Sequence, residues 1–554
     1  MKSRSVLFLF MALCLFTGCD LILGPTHTIT YNANGATDGS PPRDSSGYRK
    51  GDEVTVMDEG TLVKDDYSFD GWCASASGTG AVYEPGDRFE IGSGDVILYA
   101  KWTLTPYAAL GGGTSVSVAK YNGRYVYSLT TALPSSKPES NAAPTTKYYY
   151  TLSSTASASA DMTPTAKSRT TEARREIALS AQERKDIKNR ALENELLASH
   201  ARQVDRTTAD RARAAPATIA VGTAWNLVNV YDAGDNLHQI NTTCRYVSDH
   251  AYFFIDNSDI AAMETYLQAY GEAFDDIYHV DREKFGEEND TDNNGKIIIV
   301  FSGVITDGVL GYFYSSDKFS KAQRGDSNEG DIFYLTTDAI AQGGVTGKVL
   351  GTLAHEFQHM IYFDEHYNRG VGGTYAWLNE ALSQAASYYN GYLANQLSWI
   401  NSFLLNYGVG LSLTHWTGQN YGFGAIFMRY LIDMFDDSVI KNMCSTDLVG
   451  ISAVEAATGV GFNTLFYAFS RAIVMSGTGD SDNPIYRFTS LDLDEVQPTG
   501  RGGLLPYSVD LHPGDTENYW VYPYGLDFSR WVGDFGAIAL SGTGIEGNVF
   551  GLSK

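Results

Sequence analysis

The feature that most constrains the chain is a pair of histidines four residues apart in TLAHEFQHMI, residues 352–361. Four residues advance an α-helix by about 400°, so His355 and His359 project from one face, close enough to share a metal ion. The wider segment KVLGTLAHEFQHMIYF contains no proline and carries apolar residues at helical spacing. Neutral imidazoles suit zinc, and Glu356 is placed to act as general base. The segment predicts a zinc-binding helix, with two histidines satisfied inside an ordinary core as the alternative.

A third ligand is predicted in YAWLNEALSQAASYY, where Glu380 stands 21 residues after His359. This glutamate lies inside an apolar helical segment. An ionised carboxylate in such surroundings costs several kcal/mol unless a cation compensates it. A metal ligand therefore explains Glu380 better than a lone buried acid.

The residues that follow His359 exclude a different class of zinc site. Metzincins place a glycine three residues and a histidine six residues after the second histidine. The chain has Tyr362 and Glu365 at those positions, and His366 is one residue out of register. The sequence therefore predicts a site of two histidines and one downstream glutamate.

The motifs LAHEFQHMI and WLNEALSQ resemble the hyicolysin-type neutral metallopeptidases, a gluzincin family. The upstream segments TCRYVSDHAYFFID, DNNGKIIIVFSG, GYFYSSD and SNEGDIFYL are similar to the N-terminal half of that family. The resemblance covers roughly residues 218–480. It implies a zinc peptidase, with Zn²⁺ held by His355, His359 and Glu380. It also implies Glu356 as the catalytic base and a protein or peptide substrate cleaved by endopeptidase action.

Two features near the ligands leave roles open. Gluzincins often carry an acid four residues after the ligand glutamate, where this chain has Gln384. The glutamine can still accept a hydrogen bond from a ligand histidine. Tyr421, in GQNYGFGAIFMRYL, resembles the tyrosine that precedes a helix in other gluzincins, and His415 is a rival donor to the oxyanion. Packing is the alternative role for both.

A second cation site is suggested by DTDNNGK. Asp290, Asp292, Asn294 and Gly295 fit the first half of a Ca²⁺ loop, but the twelfth position is Phe301 instead of a bidentate glutamate. An EF-hand is therefore excluded. The two remaining interpretations are a Ca²⁺ site of another kind and an Asx-rich turn that leads into a strand.

The N-terminus predicts export and lipid anchoring. MKSRSVLFLFMALCLFTGCD has a basic start and an apolar run too short to span a bilayer, which needs roughly 20 residues. FTGC resembles a bacterial lipobox, although Phe16 replaces the usual leucine. We expect residues 1–18 to be a lipoprotein signal peptide and Cys19 to be the acylated mature N-terminus, held at a membrane of the bacterial cell envelope. An ordinary signal peptide is the alternative.

Residues 27–103 predict a small β module. YNANG, YSFDGW, GTGAVYEPGD and VILYAKW follow one another with strand and turn signals between them. This pattern resembles the Listeria–Bacteroides repeat, a β-grasp-like module of bacterial surface proteins. One copy is present.

The remaining regions complete an α+β multidomain architecture. Residues 104–215 are predicted to be a linker with a charged helix at about 167–204, which is either an exposed spacer or a pro-segment. Residues 216–480 are predicted to be the metallopeptidase domain, of gluzincin type, with a β-rich N-terminal part and a helical C-terminal part. Residues 481–554 are predicted to be a small β domain.

Two functions of different class remain. The first is an envelope-anchored zinc peptidase. The second is a surface adhesin or binding lipoprotein on a non-catalytic protease scaffold, which would have no chemical need for Glu356. The formal net charge of −25 repels nucleic acid, so no nucleic-acid partner is expected.

Overall fold

The structure is a computed structural model of the 554-residue chain. The described residues are 26–64, 67–76, 80–104, 107–111, 114–117, 125–142, 144–156, 179–201, 219–406, 411–418, 420–476, 488–491, 493, 509–511, 516–524, 526–531, 535–543 and 545–552. The predicted signal peptide and Cys19 lie outside these ranges. Within them, no helix is both long enough and apolar enough to cross a bilayer.

The N-terminal unit is a small β module built around Trp72. Its strands are β1 (Ile29–Asn32), β2 (Glu53–Thr55), β3 (Tyr67–Cys73), β4 (Val82–Tyr83), β5 (Arg88–Glu90) and β6 (Val96–Leu104). The main sheet has the order β1-β6-β3-β4, and β2 pairs with β5. Asn34 and Gly35 form the predicted turn, with φ of 45° and 82°, which these two residue types tolerate. The fully buried Trp72 ring contacts the Tyr31 ring at a centroid distance of 4.6 Å.

Four strands and one helix follow the module. They are β7 (Tyr107–Gly111), β8 (Thr114–Ser117), β9 (Tyr125–Ala132), β10 (Tyr148–Ala156) and α1 (Ala181–Ala201). The helix is the described part of the charged segment. It differs from the predicted exposed spacer because Lys185, Asp186, Arg190 and Glu193 are all buried.

The central sheet supports the site. Its strands are β11 (Ala224–Tyr231), β12 (Leu237–Val247), β13 (Ala251–Asp256), β14 (Ile297–Ser302), β15 (Gly311–Phe313) and β16 (Ile332–Thr336). Their order is β11-β12-β13-β14-β16-β15, with β13, β14 and β16 parallel. Every residue of these three strands is buried, as expected for apolar runs covered on both faces. The short strand β15 lies at the edge, antiparallel to β16.

Helices make up most of the region that covers and follows this sheet. They are α2 (Ile260–Met263), α3 (Leu267–Phe285), α4 (Asp338–Gly343), α5 (Gly347–Arg369), α6 (Ala376–Tyr389), α7 (Leu393–Asn406), α8 (Tyr421–Phe435), α9 (Ser438–Cys444), α10 (Gly450–Thr458) and α11 (Phe462–Met475). Helix α5 begins where the Thr346 side chain accepts a hydrogen bond from the Val349 N–H. It ends at Gly370, whose φ of 68° suits glycine.

The C-terminal strands pair with strands that precede α1. They are β17 (Val509–Leu511), β18 (Thr516–Val521), β19 (Leu526–Trp531), β20 (Phe535–Gly542) and β21 (Ile545–Leu552). They form two sheets, of order β18-β10-β20-β8 and β17-β19-β9-β21-β7. Side chains of both sheets share one apolar cluster, which includes Leu152, Ile538 and Val549. The arrangement is a β-sandwich.

This sandwich changes the expected organisation of residues 104–215. That interval was predicted to be a linker with an exposed charged helix. Its described part contains the helix α1, which is buried, and also the four strands β7 to β10. The four strands find their partners at the other end of the chain, and such pairing leaves no local sequence signal. The predicted C-terminal β region is therefore completed by strands from before the central sheet.

Candidate metal centre

Helix α5 carries the first two predicted ligands on one face. The rings of His355 and His359 lie at a centroid distance of 4.7 Å, and their Nε2 atoms are 3.1 Å apart. The neighbouring Leu353, Phe357 and Met360 are fully buried in the main core cluster. Packing of these apolar residues fixes the helix and therefore the direction of both imidazoles.

Helix α6 brings the third predicted ligand to the same point. Glu380 is fully buried between apolar neighbours, as its sequence setting predicted. Its Oε2 lies 3.3 Å from His355 Nε2 and 3.6 Å from His359 Nε2. The three side chains form a group that could hold a metal ion.

The dimensions of this group fit zinc. Tetrahedral bonds of about 2.0–2.1 Å place ligand atoms about 3.3–3.4 Å apart. The three separations between His355, His359 and Glu380 are 3.1, 3.3 and 3.6 Å. Neither Glu380 oxygen accepts a hydrogen bond from any described residue, although both are buried. The Arg190 guanidinium, 3.5 Å from Oε1, compensates part of this buried charge. Two imidazoles with one carboxylate are a donor set that zinc accepts.

The partners of His359 leave the lone pair of its Nε2 unused, because Ser383 Oγ, 3.2 Å from Nε2, donates its proton to Gln358 Oε1. Its Nδ1 lies 3.0 Å from Asn379 Oδ1 and 3.0 Å from Ser383 Oγ. Since the amide oxygen accepts only, Nδ1 carries the proton and Nε2 presents its lone pair. Asn379 immediately precedes Glu380, so helix α6 carries one predicted ligand and orients another.

Gln384 occupies the corresponding place beside His355. Its side-chain Nε2 lies 3.4 Å from His355 Nδ1, and its Oε1 is buried without a partner among the described residues. Rotating the amide by 180° places Gln384 Oε1 against the His355 Nδ1–H, so the oxygen gains a donor and the N–H gains an acceptor. Gln384 can then orient His355 as an acid would, without adding a negative charge.

Glu356 lies between the ligands and the edge of the central sheet. Its Oε2 accepts a hydrogen bond of 2.8 Å from the Phe313 N–H of β15. Burial raises the pKa of its carboxyl, and the opposing charges of His355 and Arg190 offset only part of that rise. A carboxylate with a raised pKa, fixed beside the three predicted ligands, is suited to accepting a proton and donating it again.

The charges hold two of the three predicted ligands in their metal-binding states. Burial raises the pKa of Glu380, but the combined effect of His359, His355 and Arg190 is larger and opposite. The pKa of Glu380 therefore lies well below its usual range. Burial and the Arg190 charge lower the pKa of His359 to about 3. Ionised Glu380 and neutral His359 are the states in which these side chains bind zinc. The pKa of His355 is instead raised, because the carboxylates of Glu380, Glu356 and Asp186 outweigh the effect of burial.

The structure separates the two candidates for an oxyanion donor. Tyr421, at the start of α8, lies with its ring centroid 6.3 Å from that of His355. His415 instead has its Nδ1 3.1 Å from Ser412 Oγ. Tyr421 is therefore the candidate that faces the metal ligands. The out-of-register His366 packs on Tyr362 and is not a member of the ligand group.

Helix α1 contributes side chains that sequence reasoning did not assign to the site. Asp186 accepts a hydrogen bond from the Tyr421 hydroxyl. Arg190 Nε lies 3.5 Å from Glu380 Oε1, and Glu193 accepts a hydrogen bond of 3.0 Å from Asn379 Nδ2. One signal was available: the charged positions 186, 190 and 193 follow helical spacing and share one face.

The acidic turn predicted as a Ca²⁺ candidate has other partners. The carboxylates of Asp290, Asp292 and Asp331 lie within 4.8 Å of one another. Asp292 accepts hydrogen bonds from the Asn294 backbone and side chain, as in an Asx turn. Asp331 is paired with the buried ammonium group of Lys318. This geometry favours the turn over a Ca²⁺ site.

Comparison with known proteins gives one domain match and several partial similarities. The Listeria-Bacteroides repeat domain matches residues 27–101. A predicted Gly-rich membrane protein of Evansella cellulosilytica is 42% identical over 88 residues, which cover 15% of this chain and 10% of that protein. The neutral metalloprotease ShpI of Staphylococcus hyicus is 28% identical over 209 residues, which cover 34% of this chain and 47% of that protein.

These similarities are partial. The chain spans less than half the length of each of the two relatives. The structure of native yeast LTA4 hydrolase aligns with 44% of each chain at 11% identity and a TM-score of 0.25, a likeness too low to carry an argument. The chain therefore contains a Listeria–Bacteroides repeat domain and is similar, over part of its length, to a neutral metalloprotease.

Proposed function

We propose that the chain is a zinc-dependent endopeptidase of the bacterial cell envelope that hydrolyses peptide bonds in protein substrates. One observation carries the proposal: the ligand atoms of His355, His359 and Glu380 lie 3.1–3.6 Å apart, with Glu356 held beside them. The similarity to a neutral metalloprotease supports the same activity.

The proposed mechanism assigns a separate role to each group. Zinc bound by the three ligands would lower the pKa of a water molecule and polarise the scissile carbonyl. Glu356, positioned by the Phe313 N–H, accepts the proton of the attacking water and delivers it to the leaving amine. The Tyr421 hydroxyl donates a hydrogen bond to the developing oxyanion. The edge strand β15, which carries Phe313, offers backbone groups to an extended substrate.

The adhesin hypothesis explains fewer of these contacts. Glu356 is almost fully buried, and its carboxylate is fixed by a hydrogen bond from the Phe313 N–H. A binding scaffold needs neither the burial of this acid nor its orientation. The geometry at Glu356 therefore favours a peptidase.

Anchoring through Cys19 is part of the proposal. The basic and apolar N-terminus supports export, and FTGC supports acylation. The similarity of part of the chain to predicted membrane proteins agrees with a location at the envelope. Two or more acyl chains would hold the protein firmly at the membrane.

Metal analysis combined with hydrolysis tests the proposal. The purified chain should contain about one equivalent of zinc, which dialysis against a chelator removes and added zinc restores. Casein hydrolysis should be lost and regained with the metal. It is measured on the wild type and on the chain with Arg190→Met and Glu193→Gln, because α1 lies over the site. If neither the wild type nor the double variant binds zinc, and neither cleaves casein, the adhesin hypothesis replaces the peptidase hypothesis.

A further inference from the structure

We infer that helix α1 is an autoinhibitory segment that occupies the substrate cleft in front of the metal ligands. On this inference the site becomes accessible only when α1 leaves the cleft. The inference rests on the proposed peptidase function, since it identifies α1 as the helix that inhibits that activity. Four side chains of α1 carry the argument, at positions 182, 186, 190 and 193.

The first contact is at the edge of the central sheet. Strand β15 pairs on one side with β16, and its other side faces α1. The Leu310 N–H donates to Gln182 Oε1 at 2.8 Å, and Gln182 Nε2 donates to the Gly311 carbonyl at 3.0 Å. A side-chain amide offers the same donor and acceptor pair as a peptide group. Gln182 therefore takes the backbone groups that an extended substrate would use.

The second contact removes the candidate oxyanion donor from use. Asp186 is fully buried, and its carboxylate accepts hydrogen bonds from the Tyr421 hydroxyl and from Gln182 Nε2 at 2.9 Å. A hydroxyl that donates to a carboxylate is unavailable to a substrate oxyanion. Asp186 therefore occupies the position beside the Tyr421 hydroxyl that the oxyanion of a substrate would take.

The third contact reaches the metal ligands themselves. The buried Arg190 guanidinium lies 3.5 Å from Glu380 Oε1 and 3.0 Å from Glu193 Oε1. Glu193 also accepts from Asn379, the residue that orients His359. The guanidinium therefore covers the ligand carboxylate from the side of the cleft.

Burial of this many charges distinguishes α1 from a spacer. A spacer helix keeps its charged side chains in water, because burying an unpaired charge is costly. In α1 the buried charges find partners on the site residues. Contacts outside the site hold the helix in place: Lys185 donates to the Asp232 carbonyl at 2.9 Å, and Asn194 accepts from the Thr374 N–H at 2.8 Å. The face of α1 is complementary to the cleft.

The test compares three forms of the zinc-loaded full chain. The wild type is closed. Arg190→Met with Glu193→Gln, the opening variant, keeps side-chain volume but removes both charges from the cleft face. Arg184→Ala is the matched control, because Arg184 is an exposed arginine on the opposite face, bonded to the Leu179 carbonyl.

Each form is measured in three ways. A chromogenic chelator gives the rate of zinc removal, a peptide hydroxamate gives the affinity of the accessible site, and a quenched fluorogenic peptide gives kcat/KM. The opening variant should show hydroxamate affinity and kcat/KM roughly 10- to 100-fold above wild type. This is the change in the population of the open state expected when the charged acceptor of the Asn379 hydrogen bond is lost. Zinc removal should also be faster. Arg184→Ala should match the wild type in all three.

Equal hydroxamate affinity for wild type and the opening variant, with zinc retained in both, would overturn the inference. Tight hydroxamate binding by the opening variant without cleavage would support autoinhibition and refute the peptidase function. Gln182→Ala is a second opening variant that leaves every charge in place. It should raise hydroxamate affinity about threefold to tenfold through loss of its hydrogen bonds to the Leu310 N–H, the Gly311 carbonyl and the Asp186 carboxylate. No rise in this variant, with its zinc and circular dichroism unchanged, would also overturn the inference.

Discussion

His366 should make helix α5 sensitive to acid. The residue lies in α5, and its ring is fully buried against Tyr362. Its Nδ1 donates to the Tyr362 carbonyl at 2.9 Å, and its Nε2 is buried with no hydrogen-bond partner among the described residues. Burial lowers the pKa of the imidazole to about 4. The perturbation is His366→Phe, which keeps a planar ring and removes the titration.

The size of the effect follows from the shift in pKa. The ordinary pKa of histidine is about 6.5. Between pH 6.5 and 4 the unfolded chain binds more protons at His366 than the folded chain does, so stability falls as the pH falls. Each pKa unit is worth about 1.4 kcal/mol, and at pH 4.5 the loss should be about 2.5 kcal/mol. Near pH 7.5 it should be negligible.

Urea unfolding of the metal-free chain at pH 7.5 and pH 4.5 measures this loss without the pH dependence of zinc binding. Tryptophan fluorescence reports on the core, where Trp377 is buried in the neighbouring helix α6. The wild type should lose about 2.5 kcal/mol more than His366→Phe between the two pH values. Phe363→Leu, at a buried position of α5 that carries no titratable group, should show the same loss as the wild type. Equal losses in the wild type and His366→Phe would refute the reasoning.

Three further predictions concern residues around the site and the N-terminus. Asn379→Ala removes the group that orients His359 and should weaken zinc affinity about 10- to 100-fold, as measured by competition with a zinc-binding dye. Lys318→Met leaves two buried carboxylates unpaired and should lower the free energy of unfolding by about 3–5 kcal/mol; a loss below 1 kcal/mol in urea unfolding would contradict this. Cys19→Ser should move the protein from the membrane fraction to the soluble fraction, and unchanged fractionation would exclude acylation at Cys19.

Local signals predicted that His355, His359 and Glu380 lie together. The spacing of His355 and His359 is a property of one helix, and the apolar setting of Glu380 revealed a carboxylate that needs a cation. The turn at Asn34-Gly35 was also predictable, since the required φ values restrict the residue types.

The parts that sequence reasoning missed depend on distant partners. Helix α1 has a thin apolar stripe and many charges, which favours an exposed helix when it is considered alone. The helix is buried because its charged side chains contact Glu380, Asn379 and Tyr421, which are distant in the sequence. Likewise, β9 pairs with β19 and β21, and no local pattern around Tyr125–Ala132 identifies strands from the far end of the chain.

The most direct test of the account separates metal binding from chemistry at the same site. Glu356→Gln and Glu380→Ala are each made in the opening variant with Arg190→Met and Glu193→Gln, so that α1 does not hide the activity. Zinc content and peptide cleavage are then measured for both. Glu356→Gln should keep about one equivalent of zinc while cleavage falls at least about 100-fold, because only the base is lost. Glu380→Ala should lose zinc and cleavage together. Full zinc retention by Glu380→Ala, or undiminished cleavage by Glu356→Gln, would contradict the account.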